Sequence, residues 1–354
     1  MMQPDHEAPR FPRFISFTLT NACNLRCRMC GQWSEEGYVL NRVVEARPRM
    51  TLTDWKRLVD EAAGHGAGNI LIRGGEPFLF KGIMDLLTYI NGKGIFLSID
   101  TNGTLLDEFA ADLSSLSNMH ITFSVDGPEE IHDRVRGVNG SFRKTRENIA
   151  LLNAMEKEHG HTISKSICFT ISRDNYESLG QMADVARSLA ISSMNIVPCY
   201  YFSDEAGRRY EEELKENFGC AAYSWKGFRH DESGVEFGRF REELHAYRGA
   251  LGEVHDYPYM PLTEDEYRVW FQDSTTPVGP AECHNVENLI DIQPSGEANF
   301  CVDLPDYSIG SVKRSTIAEV WNGSRARRFR EYRRARPLSA CHRCGAKHMS
   351  EIKE

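Results

Sequence analysis

No stretch of this 354-residue chain approaches the length of apolar sequence needed to span a bilayer. The opening run, Met-Met-Gln-Pro-Asp-His-Glu-Ala-Pro-Arg, lacks the apolar core of a secretory signal, so a cytoplasmic protein without membrane association is expected. Internal repeats and low-complexity runs are absent as well, which removes solenoid and fibrous readings. An excess of positive charge is also missing: 42 Lys and Arg stand against 51 Asp and Glu, a net −9. That balance argues against generic binding to nucleic acid or anionic lipid. The one basic run, seven arginines from Arg325 to Arg336, reads as a solvated helix face, and no nucleic-acid partner is expected. Cysteine, by contrast, is plentiful at ten residues, and in a reducing compartment clustered cysteines read as metal or redox sites rather than disulfides.

Three of the ten, Cys23, Cys27 and Cys30, form a C-x3-C-x2-C run. Cubane iron–sulfur clusters are normally held by four thiolates, so three leave one iron open to bind and activate another molecule. The same spacing would also place three cysteines on one helical face. The polar and charged residues between them, Asn24, Arg26 and Arg28, do not suit a buried stripe.

From residue 14 the chain alternates β-rich runs with helical patterns. The strands are expected at 14–20, 69–73, 95–100, 119–125, 162–171 and 193–197. Helices are expected at 53–63, 81–91, 105–115, 142–158 and 175–190. Such alternation predicts a parallel α/β sheet built from βα units, and by itself allows either a barrel or an open doubly wound sheet. Active sites of parallel barrels lie at the C-terminal ends of the strands. The chemistry-bearing runs fall there repeatedly: Cys23–Cys30 after the first strand, Gly74-Gly75-Glu76-Pro77 after the second, Thr101-Asn102 after the third, and Ser124 with Asp126 after the fourth.

Together these motifs resemble the radical S-adenosylmethionine (SAM) enzymes, whose hallmark is C-x3-C-x2-C after the first strand of a partial (β/α)6 TIM-type barrel. The resemblance implies a [4Fe–4S] cluster on Cys23, Cys27 and Cys30 whose open iron binds SAM and cleaves it to a 5′-deoxyadenosyl radical. It further implies that Gly74, Gly75, Glu76 and Pro77 bind the SAM amino group and that the backbone of Met29 lies against adenine. Thr101 and Asn102 would meet the ribose, Ser124 and Asp126 would contact SAM, and Arg136 would pair with the carboxylate. The usual residue at position 29 is aromatic, and this chain has methionine there.

Four later cysteines, Cys283, Cys301, Cys341 and Cys344, are spaced C-x12-G-x4-C and C-x2-C. Spacing alone fits a structural zinc site as well as an iron–sulfur cluster. The family resemblance, with the run Ile317-Ala318-Glu319-Val320-Trp321-Asn322, implies the SPASM/twitch branch and a second, auxiliary [4Fe–4S] cluster. No cysteine follows Cys344, which matches the shorter twitch form with one auxiliary cluster. Of the remaining three, Cys168 reads as packing and Cys220 as chemically inert, and Cys199, directly after the sixth strand, is a candidate for the hydrogen-atom donor that some members of the resembled family use.

The expected organisation is an N-terminal extension at 1–12, the barrel at 13–198, an insertion at 199–282 and the auxiliary-cluster domain at 283–354. The insertion holds 18 Asp and Glu against 9 Lys and Arg, and 16 of the 36 aromatic residues. Disordered segments are poor in aromatics, so it is read as folded, with helices at 208–217 and 237–250. Its carboxylates and rings are expected to line a pocket for a cationic or sugar-like substrate. The substrate is therefore expected to be a small molecule undergoing dehydrogenation or epimerisation. The alternative is a maturase of a ribosomally made peptide, disfavoured because only thirteen residues precede the first strand. A non-catalytic iron–sulfur or zinc protein would not need the open-iron triad beside Gly-Gly-Glu-Pro. A reductant protein such as flavodoxin or ferredoxin is the implied partner.

Overall fold

The computed structural model describes residues 11–45, 49–345 and 347. Most of the expected extension therefore lies outside the described residues. Six parallel strands follow one another in space as they do in sequence: β1 (Phe14–Thr18), β2 (Asn69–Arg73), β3 (Phe96–Thr101), β4 (Met119–Ser124), β5 (Ser164–Ile171) and β6 (Ser193–Pro198). Doubly wound sheets reverse strand order at a switch point. No reversal occurs between β1 and β6, and right-handed crossovers then put every connecting helix on one face. This settles the choice in favour of a partial barrel.

The connecting helices are α1 (Leu52–Gly64), α2 (Ile83–Gly92), α3 (Ala110–Leu113), α4 (Glu129–Arg136), α5 (Ser141–His159) and α6 (Met182–Ser188). Thr51 and Asp54 form a capping box that fixes the start of α1. The helix expected at 105–115 is broken into a 3-10 turn (Leu106–Glu108) and the short α3, and 175–190 begins as 3-10 (Tyr176–Gln181). Helix α4 is absent from the sequence reading, which took His132–Gly137 only as a site motif.

Strand alternation separates two faces. Ile70, Ile72, Leu97, Ile99, Ile121, Phe123, Ile167 and Phe169 are fully buried beneath the helices. The opposite, inner face is polar: Ser16 Oγ donates to Asp291 at 2.6 Å, and Arg73 pairs with Asp303 at 3.3 Å. Cys168 lies on this inner face with Arg136 and Asp126 as its charged neighbours, not among the apolar packing.

The insertion is folded, as expected, into α7 (Asp204–Phe218), α8 (Phe237–Ala250) and α9 (Glu264–Gln272), with the short strand β7 (His255–Asp256) extending the sheet beside β6. Beyond it come α10 (Asn285–Asn288), β8 (Leu289–Ile292), β9 (Glu297–Asn299), β10 (Gly310–Ser311), α11 (Ile317–Trp321) and α12 (Ser324–Ala335). β8 pairs in parallel with β1, so the last part of the chain continues the barrel sheet, while β9 and β10 return antiparallel. Among the described residues no helix is long and apolar enough to cross a membrane.

Candidate active site

The cysteine loop that follows β1 is clamped from two sides. On one side, Gly75 and Glu76 donate their backbone N–H groups to the carbonyls of Thr20 (2.7 Å) and Ala22 (2.8 Å). A Cβ on Gly74 would stand 2.5 Å from the Thr20 oxygen, and one on Gly75 would stand 2.2 Å from that of Ala22. These two glycines are thus required by the close approach of the loop itself. On the other side, Arg26 and Arg28 donate backbone N–H groups to the carbonyls of Arg136 (3.0 Å) and Val135 (2.9 Å) at the end of α4. Gly137 ends that helix with φ +73°, and a Cβ there would lie 2.4 Å from the Arg26 oxygen.

Within this clamp burial pushes Cys23 up to about 12 and Cys30 up to about 11, and raises Cys27 as well. Thiols held this way stay protonated at neutral pH until a metal displaces the proton. Arg136 faces them, with Nη1 donating to Cys27 Sγ at 3.6 Å and Nη2 paired with Asp126 Oδ2 at 2.5 Å. Asp126 is fully buried, and its other oxygen accepts the Thr170 N–H at 2.8 Å. Both of its oxygens are therefore engaged by the protein, and it bears on the site through Arg136.

Glu76 is also buried. Its Oε1 accepts from Thr101 Oγ1 (2.8 Å) and the Phe78 N–H (3.2 Å), and its Oε2 accepts the Asn102 N–H (2.9 Å). Burial outweighs these three donors and raises the carboxyl to about 7. Pro77 opens the following 3-10 turn. The Asn102 amide donates to Asn24 Oδ1 at 2.9 Å, tying the end of β3 to the cysteine loop, and its oxygen accepts from Thr104. Ser124 closes β4 and is half-buried. Residues after β2, β3 and β4 thus meet the loop after β1, although several spend their side chains on each other.

Next to this loop opens a cleft of about 490 Å³. Met29, Cys199, Ile171, Tyr201, Val235 and Phe271 line it, and the exposed side chains of Arg26, Arg28, Arg173 and Arg229 stand at its rim. Arg28 pairs with Asp174 (3.4 Å) and Arg229 with Glu36 (3.0 Å). Cys199 Sγ donates to the Tyr200 carbonyl at 3.2 Å and lies 4.0 Å from that of Met29. Among the described residues the insertion supplies no carboxylate to this cleft, contrary to expectation. Four of its acids are committed elsewhere: Glu236 and Glu266 cap α8 and α9, Glu213 accepts from Ser339, and Glu243 accepts the Gly180 N–H. Sequence reasoning did not single out these arginines, although Arg173 just beyond the C-terminal end of β5 sits where the barrel rule points.

The four C-terminal cysteines come together. Cys283, Cys301, Cys341 and Cys344 all line one small cavity of about 40 Å³ with Arg333 and Lys347. Among the described residues no three Cys, His, Asp or Glu side chains stand at single-ion spacing. Four thiols around one cavity form the donor set that a cubane cluster requires.

Fold and site together define an iron–sulfur enzyme that uses SAM. Residues 17–186 match the radical SAM superfamily model, and residues 283–345 match the model of the SPASM iron–sulfur cluster-binding domain. The chain belongs to the radical SAM superfamily, in the branch that carries a C-terminal SPASM domain. It is similar to Fe-coproporphyrin III synthase of Methanosarcina barkeri, 29% identical over 55% of this chain and 45% of that protein. It also resembles the antilisterial bacteriocin subtilosin biosynthesis protein AlbA of Bacillus subtilis, 24% identical over 88% of this chain and 60% of that protein. Among solved structures it resembles Streptococcus suis SuiB bound to its precursor peptide SuiA, with TM-score 0.63, 15% identity, and coverage of 97% of this chain and 71% of that one. The chain spans about half the length of the first curated relatives it matches.

Proposed function

We propose that this enzyme modifies a peptide, abstracting a hydrogen atom from one of its residues. The observation that carries the reading is the cleft of about 490 Å³ beside the cysteine loop, lined by Met29 and Phe271 and rimmed by exposed side chains. A rim of that kind admits a chain segment whose ends remain in solvent. The AlbA protein of Bacillus subtilis, matched across most of this chain, is a bacteriocin biosynthesis protein, which supports the peptide over the small-molecule reading first expected.

Cys23, Cys27 and Cys30 would hold the SAM-binding cluster, and Cys283, Cys301, Cys341 and Cys344 a single auxiliary one. The first cluster with SAM supplies a radical able to take hydrogen from an unactivated C–H bond. Glu76 offers a buried carboxylate for the ammonium of SAM, and the Gly74–Gly75 turn holds the cysteine loop in register. Arg136 balances charge at Cys27. Burial pushes the Cys199 thiol up to about 12, so it keeps its S–H at neutral pH. It lines the cleft, and in this reading it would return a hydrogen atom to a product radical, the resulting thiyl radical being reduced by the reductant protein.

A tetrapyrrole substrate is the second reading, favoured by the arginine rim, which suits carboxylate side chains. The test is 5′-deoxyadenosine release by reduced enzyme given SAM and either the host peptide fraction or its small-molecule extract. Stimulation confined to the peptide fraction supports the proposal, and stimulation confined to the extract overturns it. A Cys199→Ala enzyme giving unchanged product removes the hydrogen-donor role.

A further inference from the structure

The seven arginines between Arg325 and Arg336 do not form one basic face. Five are exposed, and two, Arg330 and Arg333, are buried one turn apart on α12. Arg330 serves packing: its guanidinium lies 4.2 Å from the Trp321 ring and donates to the carbonyls of Val286 and Trp321. Arg333 is placed differently. It is 4% exposed and lines the cavity that also holds Cys283, Cys301, Cys341 and Cys344. Its Nη1 donates to the Arg336 carbonyl at 2.6 Å, while its Nη2 has no hydrogen-bond partner among the described residues.

A buried guanidinium with an idle N–H is costly unless an acceptor faces it. The other cations of the cavity wall do not take its place. Arg343 spends both terminal amino groups on carbonyls, Nη1 on those of Thr276 and His342 and Nη2 on those of Val269 and Asp273. Lys347, 4% exposed, adds a further positive charge to the same wall. The one acid there among the described residues, Asp303, is paired with Arg73. Four thiolates and the inorganic sulfur they surround would supply both the acceptor and the negative charge that Arg333 lacks. Hydrogen bonds to cluster sulfur and nearby charge are the protein's means of setting a cluster's potential.

We propose that Arg333 donates a charge-assisted hydrogen bond from Nη2 to the auxiliary cluster and holds its reduction potential up. The inference rests on the reading of Cys283, Cys301, Cys341 and Cys344 as that cluster's ligands. A fixed positive charge favours the reduced, more negative state, so its removal shifts the midpoint downward. Arg333 is in this sense a positioning and tuning residue for the second centre, and the arginine run owes one member to the cofactor rather than to any polyanion.

The experiment uses the full chain carrying Cys23→Ala, Cys27→Ala and Cys30→Ala, so that only the auxiliary cluster titrates, with and without Arg333→Met and Arg333→Lys. EPR-monitored redox titration should show a lower midpoint for R333M and an intermediate one for R333K, with iron content preserved. An unchanged midpoint in an iron-replete R333M protein overturns the proposal and leaves the ligand assignment standing. Auxiliary iron retained in a Cys341→Ala, Cys344→Ala protein overturns the ligand assignment instead. If R333M loses its iron, the enzyme with native Arg333, labelled with 15N-arginine, decides the matter. A nitrogen coupling to the reduced auxiliary cluster in pulsed EPR supports the hydrogen bond, and its absence overturns it.

Discussion

Arg136 joins Cys27 to Asp126, with one guanidinium nitrogen 3.6 Å from the sulfur and another 2.5 Å from the carboxylate. The carboxylate is fully buried and the arginine nearly so. Removing one member of such a pair leaves an uncompensated charge and costs about 3–5 kcal/mol. Asp126→Asn should therefore lower the melting temperature and deplete the first cluster. Iron should fall from about eight toward about four atoms per chain, the remainder belonging to the auxiliary site. Full iron loading with an unchanged melting temperature would show that the pair is dispensable.

The clamp on the cysteine loop depends on glycine where a side chain has no room. Gly75→Ala drives a Cβ to 2.2 Å from the Ala22 oxygen, a backbone atom that cannot swing away. We expect SAM cleavage to fall at least tenfold, with the auxiliary cluster retained. Gly66→Ala, where a Cβ meets nothing within 4 Å, should cost only the strain of its positive φ, about 1 kcal/mol, and leave cleavage intact. Equal losses in the two variants would refute the clamp.

His132 carries a pH signature. Burial, with Arg136 nearby, lowers it from 6.5 to about 3, and its Nδ1 accepts the Asp126 N–H at 3.2 Å. The folded chain thus prefers the neutral ring. The stability this gives is complete above 6.5 and drains away as pH falls toward 3, at about 1.4 kcal/mol per pH unit. Thermal melts at about pH 7.5 and about pH 5.5 should show a drop in the native protein that His132→Asn reduces. The same acid slope in both proteins would place the sensitivity elsewhere.

Asp306 ties the insertion to the C-terminal domain. It accepts from Tyr210 Oη (3.0 Å), from the N–H groups of Tyr223 (2.7 Å) and Ser224 (3.0 Å), and from Ser224 Oγ. Asp306→Ala leaves these donors unpaired, at about 1–3 kcal/mol each for those that water cannot reach. Limited proteolysis should then cut first between residues 204 and 228. An unchanged cleavage pattern would contradict the tie.

Much of this was legible in the sequence because it is local. Strand β2 and helix α8 fall at the expected bounds, since period-two and helical patterns bounded by turn residues specify them directly. The cysteine spacings point to the proposed ligand sets of both clusters for the same reason. Long-range features were not legible. Nothing in the local pattern of Leu289–Ile292 says that it pairs with β1. The mutual engagement of Glu76, Thr101 and Asn102 depends on two strand ends meeting, those of β2 and β3. The acidic insertion misled because composition does not reveal where carboxylates point, and here Glu236 and Glu266 cap helices while others pair with arginines. Helix α9 did have a local signal, the Thr263–Glu266 capping box, which the reading passed over.

The central claim is SAM cleavage by a cluster on Cys23, Cys27 and Cys30 in the service of peptide modification. Its most direct test is 5′-deoxyadenosine release by reconstituted, dithionite-reduced enzyme given SAM, with the Cys23→Ala, Cys27→Ala, Cys30→Ala protein alongside. The account predicts release by the native chain, increased by the host peptide fraction, and none above background from the triple variant. Equal release from both proteins would contradict it.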